Sequence, residues 1–157
     1  MRKGTVWKEI VANRKRMMEV CPKVDFYISS TVGLVNSLHV CDFHKNWVDQ
    51  GLINSQDFNF NLLQSPTWQR IDLLPLEFKE QIKQKYEKHI AWLKNKDPLT
   101  RATKGYESAL DWMFRRDKTD KLDLFFSNTR LYDKVREEKF LEVFPEWTEL
   151  FDKYEKK

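Results

Sequence analysis

The sequence predicts an α/β, helix-rich fold: a partial (β/α) barrel fragment in which two parallel strands precede a helical C-terminal tail. Three observations carry that expectation. Val24, Phe26 and Ile28 alternate with Asp25, Tyr27 and Ser29, the period of two expected of a strand with unlike faces. Phe58, Phe60 and Leu62 alternate with Asp57, Asn59 and Asn61 in the same way. Between them lie about 25 residues, mostly at helical spacing, enough for a right-handed crossover joining parallel neighbours.

Before the first strand, Trp7, Ile10, Val11, Met17 and Met18 form an apolar stripe within Thr5 to Val20, while Asn13, Lys15 and Arg16 read as solvated. Pro22 ends that helix, because its ring cannot continue the hydrogen-bond ladder. After the strand, Gly33 permits a sharp bend and Asn36 is expected to cap the next helix. Val40, Phe43 and Trp47 then recur at helical spacing up to a stop at Gly51.

Past the second strand, Ser65-Pro66 marks a turn and Pro75 suits the first turn of a helix. That helix runs to about Asn95, with Phe78, Ile82, Tyr86, His89 or Ile90, and Leu93 on one stripe. Asp97-Pro98 closes it, and a polar connection from Leu99 to Gly105 leads to a shorter helix bearing Tyr106, Ala109, Leu110, Met113 and Phe114. In the tail, Asp120 and Asp123 suit a helix N-terminus, followed by Leu122, Phe125, Phe126 and Thr129 on one stripe. Trp147, Leu150, Phe151 and Tyr154 make an i, i+3, i+4, i+7 set, and the Lys-rich end reads as solvated. The expected division is a barrel-like α/β region at 1–97 and a helical tail at 98–157.

Composition narrows the function classes. At 157 residues the chain is long enough for one domain with a core. Its 28 basic and 24 acidic residues leave a net charge of only +4, so nucleic acid is not indicated. No apolar run approaches a membrane span and no apolar stretch follows the basic start, so a membrane role and an export signal are not expected. Two cysteines, Cys21 and Cys41, make no disulfide framework, which points to a reducing, cytoplasmic setting. No Gly-rich phosphate loop is present.

The polar strand faces are the candidate site. In a barrel or half-barrel, Tyr27, Ser29, Thr31, Asn59 and Asn61 would line the lumen near the carboxyl ends of the strands, where ligands bind. The same alternation also serves a plain sheet with one solvated face. His39, Cys41 and His44 lie close in sequence, but on a helix His39 and His44 point apart and no second ligand pair follows. A small buried thiol beside a surface imidazole is the expectation there. Glu77, Glu80 and Glu87 read as helix-surface partners of lysines.

The order SSTVGLVN, then NLLQSP, then RIDLLPLEFKEQI, then FFSNTRLYDKVREEKFLEVFPEW resembles the C-terminal part of radical S-adenosylmethionine enzymes of the twitch-domain kind. Such proteins, often seen in tailed-phage genomes, have a partial barrel followed by a helical tail. The resemblance makes the first strand here the fifth of the barrel and FNFNLLQSP the sixth. Thr129, Leu131, Asp133, Arg136, Phe140, Pro145 and Glu146 resemble the family's tail pattern. It also implies contacts to S-adenosylmethionine, or to the substrate, from Ser29, Thr31, Asn36, Asn59 and Asn61. For Asn36, helix capping is the competing role.

The family's cluster motif, C-x3-C-x2-C, is absent. A [4Fe–4S] cluster needs thiolate ligands, and Cys21 and Cys41 cannot supply that motif. The chain is therefore expected to be the family's distal half: a natural split product, a degenerate paralogue, or one subunit completed by a second chain that carries the cluster-binding half. It holds neither a catalytic residue nor a metal ligand of its own. The alternative expectation is a noncatalytic helical interaction protein that binds a protein or nucleic-acid partner through an aromatic surface with basic flanks.

Overall fold

Alternating apolar residues and helical stripes sort the chain into the following elements. A computed structural model describes residues 4–155. Among these, α1 is Trp7–Val20, β1 Ile28–Val32, α2 Val40–Asp49, β2 Phe58–Leu62, α3 Leu76–Leu93 and α4 Arg101–Arg115. Then follow α5 (Leu122–Arg136), α6 (Phe140–Val143) and α7 (Thr148–Tyr154). Short 3₁₀ turns occupy Thr67–Gln69, Ile71–Leu73, Thr119–Lys121 and Pro145–Trp147. The fold is helix-rich α/β. Lys156 and Lys157 of the Lys-rich end lie outside the described residues.

β1 and β2 pair in parallel, with Ile28 opposite Phe58, Ser29 opposite Asn59 and Thr31 opposite Asn61. The paired segment begins four residues later than the alternation from Val24. The reason is the partner: β2 starts at Phe58, so nothing pairs with Val24 to Tyr27. Val24 and Tyr27 are exposed, and Phe26 packs instead beneath the Arg14 guanidinium, 4.0 Å from its ring centre. Val32 and Phe58 are fully buried on the inner face.

α1 forms as its stripe predicts, yet none of its residues is buried. It is held by Trp7, whose ring meets Phe43 and Trp47 at 5.9 and 5.7 Å, and by Arg14 Nε donating to the Leu52 carbonyl at 2.8 Å. α2 starts at Val40, after a run of turns, rather than at Asn36. It stops as expected. Gly51 has a φ of 68°, its N–H reaches the Val48 carbonyl at 2.9 Å, and Leu52 N–H reaches Trp47 at 3.0 Å. That pair of bonds is a Schellman ending, closed by the buried Leu52.

On α3, Phe78, Ile82, Tyr86, His89 and Leu93 face inward together with Lys79. α4 begins at Arg101, inside the expected polar connection from Leu99 to Gly105. Asp97 makes this start: its carboxylate accepts from both Thr103 N and Thr103 Oγ1 at 2.8 Å, satisfying an amide of the first turn. Gly105 is therefore inside a helix, where glycine costs about 1 kcal/mol relative to alanine. It is there because α4 crosses β2: a Cβ at Gly105 would lie 2.4 Å from Phe60 Cβ.

The tail follows its stripes. Leu122, Phe125, Phe126 and Thr129 of α5 are buried, as are Trp147, Leu150 and Phe151 at α7. Trp147 is fully buried and its Nε1 donates to the Val35 carbonyl at 3.1 Å, tying the tail to the chain leaving β1. The buried side chains form one core drawn from the strands and from the C-terminal helices.

Candidate functional site

The strand alternation decides which side chains leave the core. Ile28, Ser30 and Val32 turn toward it, so Ser29 and Thr31 turn away and are exposed. The register sets Asn59 beside Ser29 and Asn61 beside Thr31. Asn61 Nδ2 donates to Ser29 Oγ at 2.8 Å, a diagonal contact between neighbouring strands. Four of the five sequence-expected site residues thus share one polar face of the sheet. Tyr27, just before β1, is 53% exposed.

Asn36 has a different place from the expected one. It does not cap α2, whose preceding residue is His39 with no side-chain cap. Its Oδ1 accepts from Gly33 N at 2.9 Å and its Nδ2 donates to the Thr31 carbonyl at 3.0 Å. Both ends of the amide are engaged, so Asn36 clamps the turn out of β1. The clamp matters for the sheet. Ile28 N and the Val32 carbonyl bond toward β2, so the backbone groups of Ser29 and Thr31 point to the free edge of β1. Asn36 occupies one of them, the Thr31 carbonyl; among the described residues the Ser29 groups and Thr31 N–H are the open part of that edge.

Past the strand ends, the chain carries a second feature that sequence reasoning missed. A cleft of about 160 Å³ is lined by Thr67, Trp68, Arg70, Asp72, Leu73, Lys118, Lys121 and Leu124. None of the strand-face residues lines it. The segment bearing Trp68 and Arg70 is fastened to the exit of β1, because Leu34 N–H donates to the Gln69 carbonyl at 2.7 Å.

The His and Cys residues of α2 separate. His39 is exposed, with Nε2 2.6 Å from Glu146. Cys41 is buried, and burial pushes its thiol up to about 12, so it is a protonated, inert thiol at neutral pH. His44 is not the surface imidazole expected; it is fully buried and stacks on Phe58 at 4.1 Å. The reason is a set of polar partners from three other elements. His44 Nε2 is 3.1 Å from the Ser55 carbonyl, so Nε2 carries the proton and Nδ1 is an acceptor. His89 Nε2 lies 3.0 Å from that Nδ1 and must donate to it. The Tyr106 hydroxyl sits 3.5 Å from the same Nδ1 and 3.4 Å from the Val40 carbonyl.

Burial holds both imidazoles neutral, lowering His44 to about 4 and His89, which also feels His44, to about 3. Such a chain is a core polar network rather than a reactive site, since both nitrogens of His44 and Nε2 of His89 are spent on each other and on the Ser55 carbonyl. One signal was legible: His44 falls on the Val40–Cys41–Trp47 stripe and His89 on the α3 stripe. Among the described residues no group of three His, Cys, Asp or Glu side chains could hold a metal ion. None of the described helices is long and apolar enough to cross a membrane. No protein-family model, curated protein or solved structure matches the chain.

Proposed function

We propose that this chain is the distal half of a radical S-adenosylmethionine-type enzyme, supplying polar strand ends to a composite pocket for the nucleoside or the substrate. A further polypeptide segment supplies the remaining strands. The observation that carries this reading is the sheet itself: two parallel strands, apolar and covered on one face, with Ser29, Thr31, Asn59 and Asn61 aligned on the other. Parallel sheets are ordinarily covered on both faces, or closed into barrels with such residues inside. Two further features agree with a missing neighbour. Among the described residues β1 is paired on one side only, and α1, which precedes it, leaves Trp7, Ile10, Met18 and Val20 between 36 and 68% exposed. The preceding strand of a barrel would pair with the first and pack beneath the second.

The residues here do not fit an iron–sulfur cluster. Cys21 is exposed, Cys41 is a buried thiol held protonated, and no third ligand joins them among the described residues. No radical step is assigned to this chain. The donor set does fit S-adenosylmethionine, because hydroxyl and amide side chains can meet ribose hydroxyls and an adenine edge. A noncatalytic interaction role is the second reading, favoured by the exposed stripe of α1.

The test is a titration of the chain with millimolar S-adenosylmethionine, followed by amide nuclear magnetic resonance. Shifts should concentrate at Ser29, Thr31, Asn59 and Asn61, and Thr31→Val should weaken binding about fivefold, the worth of one neutral hydrogen bond. Shifts elsewhere, or none, would leave the interaction role as the account of this chain.

A further inference from the structure

The cleft beyond the strand ends is built from a short sequence of physical steps. Asp72 is fully buried and is held by Arg70 through Nε at 3.1 Å and Nη2 at 2.5 Å. That bidentate pair neutralises itself and makes one wall. Lys118 N–H donates to the Asp72 carbonyl at 3.1 Å, and Thr119 N–H and Oγ1 donate to the Asp117 carboxylate at 3.1 and 2.6 Å. The first of these bonds fastens the turn bearing Lys118 and Lys121 across the cleft. Neither lysine side chain has an ion-pair partner among the described residues, so the lining carries a net charge of two positive units. Asp117, next to Lys118 in the sequence, is taken by Lys79 at 3.3 Å and by Thr119. Asp120 and Asp123 do not line the cleft. Besides Thr67, the rest of the lining is apolar: Leu73, Leu124 and the planar Trp68 indole, which is backed by Tyr132 at 5.7 Å.

We propose that this cleft binds a small oxyanion, phosphate or carboxylate, attached to a planar apolar group. The oxyanion meets the Lys118 and Lys121 ammonium groups and the planar group lies against Trp68. Backbone bonds from Lys118 to Asp72 and from Lys121 to Lys118 fix the turn that carries the two lysines, so the main chain needs no ordering on binding and only the side chains do. The inference stands on the cleft alone and shares no residue with the strand-face reading, so either can fail without the other.

The test is a titration of the chain at 0.15 M salt, where weak surface attraction is screened. Phenyl phosphate, benzoate, inorganic phosphate and phenol are the probes, read by amide shifts. Phenyl phosphate or benzoate should shift residues 67–73 and 118–124, and the tighter of the two identifies the oxyanion. Inorganic phosphate and phenol should each bind at least about tenfold more weakly than that probe. Lys118→Gln with Lys121→Gln should weaken it by about tenfold or more, at an unchanged melting temperature. Trp68→Leu should remove its advantage over the bare anion. The proposal is overturned if neither aryl anion shifts the cleft, if phenol binds as well, or if the lysine variants bind like the original chain.

Discussion

Acidification should unfold this protein through its two buried histidines. In the folded chain His44 and His89 stay neutral until about pH 4 and about pH 3, because burial penalises the imidazolium and the two rings are hydrogen-bonded to each other. In the unfolded chain each takes a proton near the ordinary value of 6.5. The unfolded state therefore binds more protons between these limits, and stability falls as the pH is lowered through 6.5. At pH 5 each histidine costs about 2 kcal/mol, so the pair removes about 4 kcal/mol relative to pH 7.5. That is a large part of the 5–15 kcal/mol typical of a domain. The assay is urea unfolding at half-unit steps from pH 7.5 to 5, above the range where carboxylates titrate. Stability should decline with a limiting slope near two protons, and His89→Gln should reduce that slope to about one. A flat profile, or ring signals of His44 and His89 titrating near pH 6.5 in the folded protein, would refute the neutral buried pair.

Three other outcomes follow from the packing. Gly105→Ala should destabilise by about 1–2 kcal/mol in thermal melts despite its better helix propensity, because the new methyl meets Phe60 at 2.4 Å; Ser108→Ala on the same helix should be neutral or slightly stabilising. Asp72→Ala should cost about 3–5 kcal/mol in urea unfolding, since it strands the Arg70 guanidinium in a site only 16% exposed. Thr31→Val should leave stability within about 0.5 kcal/mol, as an exposed strand position does, so any effect on ligand binding would be separable from folding.

The elements legible in the sequence were those whose signal is local. The stripes Phe78–Ile82–Tyr86–Leu93 and Leu122–Phe125–Phe126–Thr129 formed as read, because a helix needs only its own period and one apolar surface to lie on. The parallel pairing was legible for the same reason: two alternating runs with a long helical connection leave few alternatives. What was not legible depends on partners distant in sequence. The start of β1 is set by where β2 begins. Asn36 is a turn clamp because Gly33 and the Thr31 carbonyl close on it, not because of its position before a helix. Gly105 looked like a linker residue, and its reason is Phe60, 45 positions earlier in the chain. His44 is buried because Ser55 and His89 satisfy its nitrogens. Arg70, Trp68 and Lys118 gave no periodic signal at all, since their cleft is assembled from three short turns and the first turn of α5.

The proposed function makes β1 an interior strand of a sheet that another segment completes. Amide hydrogen exchange on the chain alone tests it most directly. The Ser29 and Thr31 N–H groups should exchange rapidly, at rates near those of a solvated strand edge, while Ser30 and Val32, facing β2, should be strongly protected. Equal protection at Ser29, Thr31 and Ser30 would mean that the edge is already covered, and the composite-pocket account would be contradicted.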